Sequence, residues 1–81
     1  MGRFWRCYDA LPKSIQSQAD KQHSLFKRDP NHPSLQFKRI GLFWSVRVDS
    51  SYRALGIRRA DTISWFWIGP HDEYEQIIYR Q

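Results

Sequence analysis

Apolar residues recur along the chain with two different periods, and the change of period divides it in two. Phe4, Trp5, Tyr8 and Leu11 fall at helical spacing and predict a short first helix, with a strand as the alternative. Pro12 stands where a second helix can begin, because its missing N–H costs nothing in a first turn. Leu11, Ile15, Ala19, Gln22 and Phe26 form one stripe at i, i+4, i+8, i+11 and i+15, interrupted by the polar Gln22. Lys13, Gln16, Ser17, Asp20, Ser24 and Lys27 occupy the other faces. Asp29-Pro30 ends the helix, since a residue before proline avoids the α region. Pro30-Asn31-His32-Pro33 makes a rigid connection.

The period then becomes two. Leu35 and Phe37 alternate with Gln36 and Lys38, and Trp44, Val46 and Val48 alternate with Ser45, Arg47 and Asp49. Asp49-Ser50-Ser51 reads as a hairpin turn and Tyr52 to Ile57 as the next strand. Arg58-Arg59-Ala60-Asp61 is a charged turn. Thr62 to Ile68 is apolar on both faces, which predicts a central strand with Trp65 and Trp67 sharing one side in the core. His71 to Arg80 reads as a last short helix with Tyr74, Ile77 and Ile78 on its apolar side. The expected fold is α+β: two N-terminal helices packed on an antiparallel, meander-type β-sheet, followed by a short C-terminal helix. The helices are expected on one face of the sheet. With no linker, repeat or low-complexity stretch, residues 1–81 are expected to form a single domain.

Composition sharpens this picture in three ways. A chain of 81 residues has a thin core, but 16% of them are aromatic, four of them Trp, so each core residue is large. The single cysteine, Cys7, allows no internal disulfide, which suits a reducing compartment. Cys7 reads as a small core residue rather than a nucleophile. The formal charge of +5 points to an anionic partner, nucleic acid first and an acidic protein second, against the plain alternative that it serves solubility. No apolar run suggests a signal peptide or a membrane span, so the expected location is the cytoplasm and no membrane partner is expected.

Few motifs carry chemistry. Cys7, His23, His32 and His71 lack zinc spacing, so neither a metal nor another cofactor is expected. There is no G-x-S-x-G, and Gly2, Gly41, Gly56 and Gly69 are too scattered for a phosphate loop. The cations of the strands say more. Lys38 and Arg47 alternate with apolar residues and emerge on the face away from the helices, and Arg53 falls near them. Together they suit a phosphate-binding surface, or else a solvated face in which Arg47 pairs with Asp49 or Asp72. The stretch WFWIGPHDEY (65–74) ends in a polar cluster. Asp72 and Glu73 suit a first helical turn without any function. His71, where a strand meets a helix, is a candidate proton donor or acceptor. Tyr74 is either core or a ring for base stacking.

The segments LPKSIQSQADKQHSLFKRDP (11–30), HPSLQFKRI (32–40), WSVRVDSSYRALGI (44–57) and WFWIGPHDEYEQII (65–78), in this order and spacing, resemble the RelE/ParE superfamily of toxins from bacterial type II toxin–antitoxin systems. The resemblance covers nearly the whole chain and implies the same fold of helices on an antiparallel sheet. It also implies a cognate antitoxin that silences the toxin, and operator DNA contacted only through that complex. RelE-like members enter the ribosomal A site and cut messenger RNA there, whereas ParE-like members poison DNA gyrase. By position the resemblance assigns cutting roles to Arg47, Arg53 and His71 and RNA-holding roles to Lys38 and Arg39. Two positions depart from the pattern. Ser45 stands where some members carry a lysine, and Ile77 stands at the spacing of a tyrosine for which Tyr74 lies too early.

The implied function is therefore a ribosome-dependent mRNA endonuclease that inhibits translation and needs no metal. The 2′-hydroxyl attacks the adjacent phosphorus, Arg47 and Arg53 stabilise the phosphorane charge, and His71 moves a proton. The rivals are a gyrase inhibitor and a non-catalytic member that only binds its antitoxin.

Overall fold

The computed structural model describes residues 2–80. Helix α1 (Gly2–Asp9) and helix α2 (Lys13–Arg28) are separated by a turn at Pro12. A 3-10 turn at Pro33–Leu35 leads into β1 (Lys38–Ile40), β2 (Phe43–Arg47), β3 (Tyr52–Arg59) and β4 (Thr62–Pro70), and α3 (His71–Tyr79) follows at once. The four strands pair antiparallel in the order β1-β2-β3-β4, a simple meander. The α+β fold read from the periodicity is the fold observed.

Pro12 precedes α2 with φ −57° and ψ 150°, and its carbonyl accepts from Ile15 and Gln16 N–H. The polar break in the α2 stripe has a structural reason. Gln22 is buried, and its Nε2 donates to the Ser34 carbonyl at 3.3 Å and to the Arg47 carbonyl at 2.9 Å. β1 begins at Lys38, opposite Ser45, so the ladder ends before Arg47, and Gln22 supplies the donor that the sheet lacks. The strand expected from Leu35 starts three residues later. Pro33 opens a 3-10 turn, Ser34 N–H donates to His32 Nδ1, and Gln36 takes a left-handed conformation with φ 45°. Leu35 is driven into the core by that turn and is fully buried.

Register sorts the sheet into two faces. Val46, Ala54 and Ile68 share one face with Trp44 and Trp65; Ser45, Leu55 and Trp67 share the other. On the first face α1 and α2 close a core that includes Leu11, Leu35, Val46, Val48, Ala54 and Ile68. Phe26 of α2 meets Phe37 and Trp65 edge-on at 4.9 and 5.5 Å, and Phe37 stacks on Trp44. These ring contacts supply the large payload that so short a chain needs. On the second face Tyr74, Ile77 and Ile78 of α3 cover Leu55 and Trp67. The helices thus do not share one face, as the periodicity suggested: α3 packs opposite α1 and α2.

β4 is an edge strand, not a central one. Its apolar residues are nevertheless explained, because helices cover both faces and α1 lies along the edge. Phe4, Cys7 and Tyr8 pack on the first core, Cys7 also meets the second, and Arg3 lies over the Phe66 ring at 5.8 Å. Covering an edge in this way blocks pairing with another chain. Trp65 and Trp67 do not share a side either. Leu55 pairs with Trp67 but Gly56 with Trp65, so Phe66 is an extra residue and the alternation inverts across the bulge. Gly56 permits this bulge: a Cβ there would lie 2.6 Å from Ile63 Cγ2 and 2.8 Å from Trp65 Cε3.

Candidate functional site

The meander brings Arg47 and Arg53 together as direct cross-strand partners on the α3 face. Val48 N–H donates to the Tyr52 carbonyl at 3.0 Å, which fixes the hydrogen-bonding parity of this hairpin. The Arg47–Arg53 pair therefore falls at a non-hydrogen-bonded position, where Cα atoms approach to about 4.5 Å and side chains come closest. Like charges directly opposite each other are destabilising. Sequence alternation gave the face of Arg47 alone; pairing with Arg53 depends on the length of the turn.

The two arginines are held differently. Arg53 Nη1 donates to the Asp49 carbonyl at 2.6 Å and to the Tyr52 carbonyl at 2.9 Å. Its Nε and Nη2 groups make no hydrogen bond among the described residues, so the edge that grips two oxygens of one phosphate is unused. The Arg47 side chain is half-buried and has no hydrogen bond or ion pair among the described residues. The alternative pairing of Arg47 with Asp49 or Asp72 is not formed.

Next in this row stands Gly69, the partner of Arg53 on β4. The Trp67 indole lies over it, with Cζ2 only 2.6 Å from where a Cβ would sit. His71 follows as the first residue of α3, and its N–H donates to the Ser51 carbonyl at 2.8 Å. The His71 ring is partly exposed, with Nδ1 4.0 Å from Glu75 Oε1 one helical turn on. Glu75 rather than the adjacent Asp72 is thus the carboxylate beside the ring. The i, i+4 spacing of His71 and Glu75 was the signal available for it. The turn between β2 and β3 therefore contacts Arg53 through two carbonyls and His71 through a third.

The remaining candidates separate. Lys38 is exposed and opposite Ser45, on the face of the arginine pair. Arg39 is opposite Trp44, on the other face, and its Nε donates to the Gly41 carbonyl at 3.0 Å. Tyr74 is 5% exposed and packs with Leu55 and Trp67, its ring centroid 5.3 Å from that of His71. A stacking role needs an open ring face, and this ring is a core residue that supports His71 instead. Among the described residues no three His, Cys, Asp or Glu side chains converge as a metal site. A cleft of about 590 Å³ lies elsewhere, between the helical hairpin and the opposite face, with Trp5, Tyr8, Phe26 and Trp65 in its walls and Asp20 and Arg59 among its polar residues.

The model of the ParE-like toxin domain matches residues 13–76, from the start of α2 into α3. The chain belongs to the ParE-like toxin domain family. The resemblance seen in the segments and the meander fold agree with this membership. Comparison with curated proteins and with solved structures finds no match. A toxin domain of this family carries a toxin-type function and implies an antitoxin partner. No helix of the described toxin domain is long and apolar enough to cross a membrane.

Proposed function

We propose that this toxin cuts messenger RNA on the ribosome and is neutralised by a cognate antitoxin in the cytoplasm. One observation carries the reading: two arginines occupy the closest cross-strand position, with no acid between them, beside a histidine at a helix start. Such a pair costs energy in the free protein and is relieved by an anion that both can grip. A phosphodiester is the anion that also gives His71 a task.

In the reaction the 2′-oxygen forms a bond to phosphorus and the bond to the 5′-oxygen breaks. A proton leaves the 2′-hydroxyl and another reaches the departing 5′-oxygen. Arg47 and the free edge of Arg53 take the charge that grows on the equatorial oxygens. His71 serves one of the proton transfers, worth about 10²–10⁴-fold when well placed. Lys38, on the same face, holds a flanking phosphate; Arg39, on the far face, is left out of this assignment. Apolar residues of the antitoxin occupy the cleft under the helical hairpin, and its acids answer the charge of +5.

A second reading, inhibition of DNA gyrase, draws support from the ParE-like match and from Ser45, which is buried where some RelE-like relatives carry a lysine. Purified protein on programmed ribosomes separates the two. Cuts at the A-site codon that vanish in Arg53→Ala and His71→Ala support the nuclease. An intact message, together with loss of gyrase supercoiling, supports the inhibitor and removes the nuclease.

A further inference from the structure

Asp49 takes no part in the reaction above, yet it sits at the centre of the hydrogen bonds around the site. Its Oδ1 accepts from Ser51 N–H at 2.8 Å and from Tyr52 N–H at 2.9 Å. That carboxylate closes the turn between β2 and β3 on itself, as an Asx turn does. Three carbonyls of the closed turn are then spent on the site. Those of Asp49 and Tyr52 accept from Arg53 Nη1, and that of Ser51 accepts from His71 N–H at 2.8 Å. Both groups that flank the proposed phosphate are thus tethered to the same four residues.

We infer that Asp49 is a positioning residue: through the turn it closes, it sets Arg53 and His71 relative to one another. Its carboxylate makes no ion pair with Arg47 or Arg53, so its part is geometric rather than electrostatic. Without it the N–H groups of Ser51 and Tyr52 lose their acceptor, the turn is free to rotate its peptides, and the carbonyls of Asp49 and Ser51 swing away from Arg53 and His71, while that of Tyr52 stays held by Val48 N–H. Arg53 then keeps its charge but loses its aim. The consequence for cleavage rests on the nuclease reading; the tethering does not.

Two substitutions separate geometry from charge. Asp49→Asn keeps an oxygen at the Oδ1 position and removes the charge. Asp49→Glu keeps the charge and moves the oxygen outward by one methylene. NMR of the purified full chain reads the tether directly, through hydrogen-exchange protection of the His71 amide and the side-chain resonances of Arg53. Expected are wild-type signals in Asp49→Asn, and lost His71 protection with averaged Arg53 signals in Asp49→Glu. On ribosomes, Asp49→Glu should lose about 10–100-fold in kcat, the scale of a misplaced group, with KM little changed. Asp49→Asn should retain wild-type kcat. The reverse order, Glu retaining and Asn losing the signals, overturns the inference in favour of an ion pair. Both variants matching the wild type also overturns it. Should the wild type cut no RNA, the nuclease reading falls while the NMR comparison still decides the tether.

Discussion

Replacing Gln22 by leucine tests whether the break in the α2 stripe is a structural joint. Leucine has nearly the volume of glutamine and greater apolarity, so a site that only needed filling would gain stability from it. The structure predicts a loss. Gln22 is 8% exposed and its Nε2 holds two carbonyls, that of Arg47 at 2.9 Å and that of Ser34 at 3.3 Å. Leucine leaves both acceptors without this donor. One well-made bond to a part-buried acceptor is worth about 1–3 kcal/mol when its partner is removed, and the longer bond adds little. Against this stands the gain from burying a more apolar side chain, up to about 1 kcal/mol for the exchange. The net expectation is a loss of about 1–2 kcal/mol, with the hydrogen-bond side winning. A domain of this size loses roughly 4–8 °C in Tm per kcal/mol. Gln22→Glu should be worse than leucine, because it sets an acceptor against two acceptors. Urea melts followed by tryptophan fluorescence measure the midpoints. A Gln22→Leu protein as stable as the wild type, or more so, refutes the joint and leaves Gln22 an accident of the stripe.

Four further outcomes follow from the same contacts. Arg47→Gln removes one of two facing cations and should stabilise the free protein by about 0.2–1 kcal/mol while weakening binding to RNA; thermal melts and fluorescence anisotropy with a short RNA read the two effects. Gly69→Ala places a Cβ 2.6 Å from the Trp67 ring, and the overpacking should cost about 1–3 kcal/mol and alter the near-ultraviolet circular dichroism of the indole. Ala60 lies in the β3–β4 turn at φ 56°, so Ala60→Gly should raise stability by up to about 1 kcal/mol in a urea melt. The Tyr8 hydroxyl donates to Asp20 at 2.8 Å, and that hydrogen bond, then desolvation, then the charges of Asp20 and Asp9, raise its pKa above the usual 10.0. Its contribution is therefore full below the unfolded pKa and lost as pH rises through the folded one. An absorbance titration should show Tyr8 ionising at lower pH in Asp20→Asn.

The parts of the fold legible in the sequence are those governed by a single period. The α2 stripe, the proline at its start and the alternation along β2 each follow from a local rule. β4 was harder because every residue from Ile63 to Ile68 except Ser64 is apolar, and such a run carries no phase. A strand with helices on both faces reads like a central strand even at an edge, and a bulge within an unbroken apolar run leaves no mark in the pattern. Gly56 is the one local sign, and its meaning depends on Ile63 and Trp65 across the ladder. The 3-10 turn at Pro33 was hidden in the same way, since Leu35 and Phe37 alternate whether or not Gln36 is left-handed.

The site was half legible for a related reason. Alternation alone assigns Arg47 to the face away from α2, but it says nothing about Arg53, which lies beyond a turn. A strand has a side-chain period of two, so one residue more in that turn would send Arg53 to the face covered by α1 and α2 and leave Arg47 opposite an apolar residue. The arginine pair therefore exists because the connection from Arg47 to Tyr52 has one particular length, and Asp49 closes it by taking the N–H groups of Ser51 and Tyr52. The same closure turns the Ser51 carbonyl to His71 at the far side of β3. A short polar turn that composition alone would class as surface thus decides which charges meet. Two facing arginines carry a cost that an anion bound between them would relieve, and on that ground the proposed nuclease chemistry is assigned to the hairpin rather than to the apolar cleft behind it.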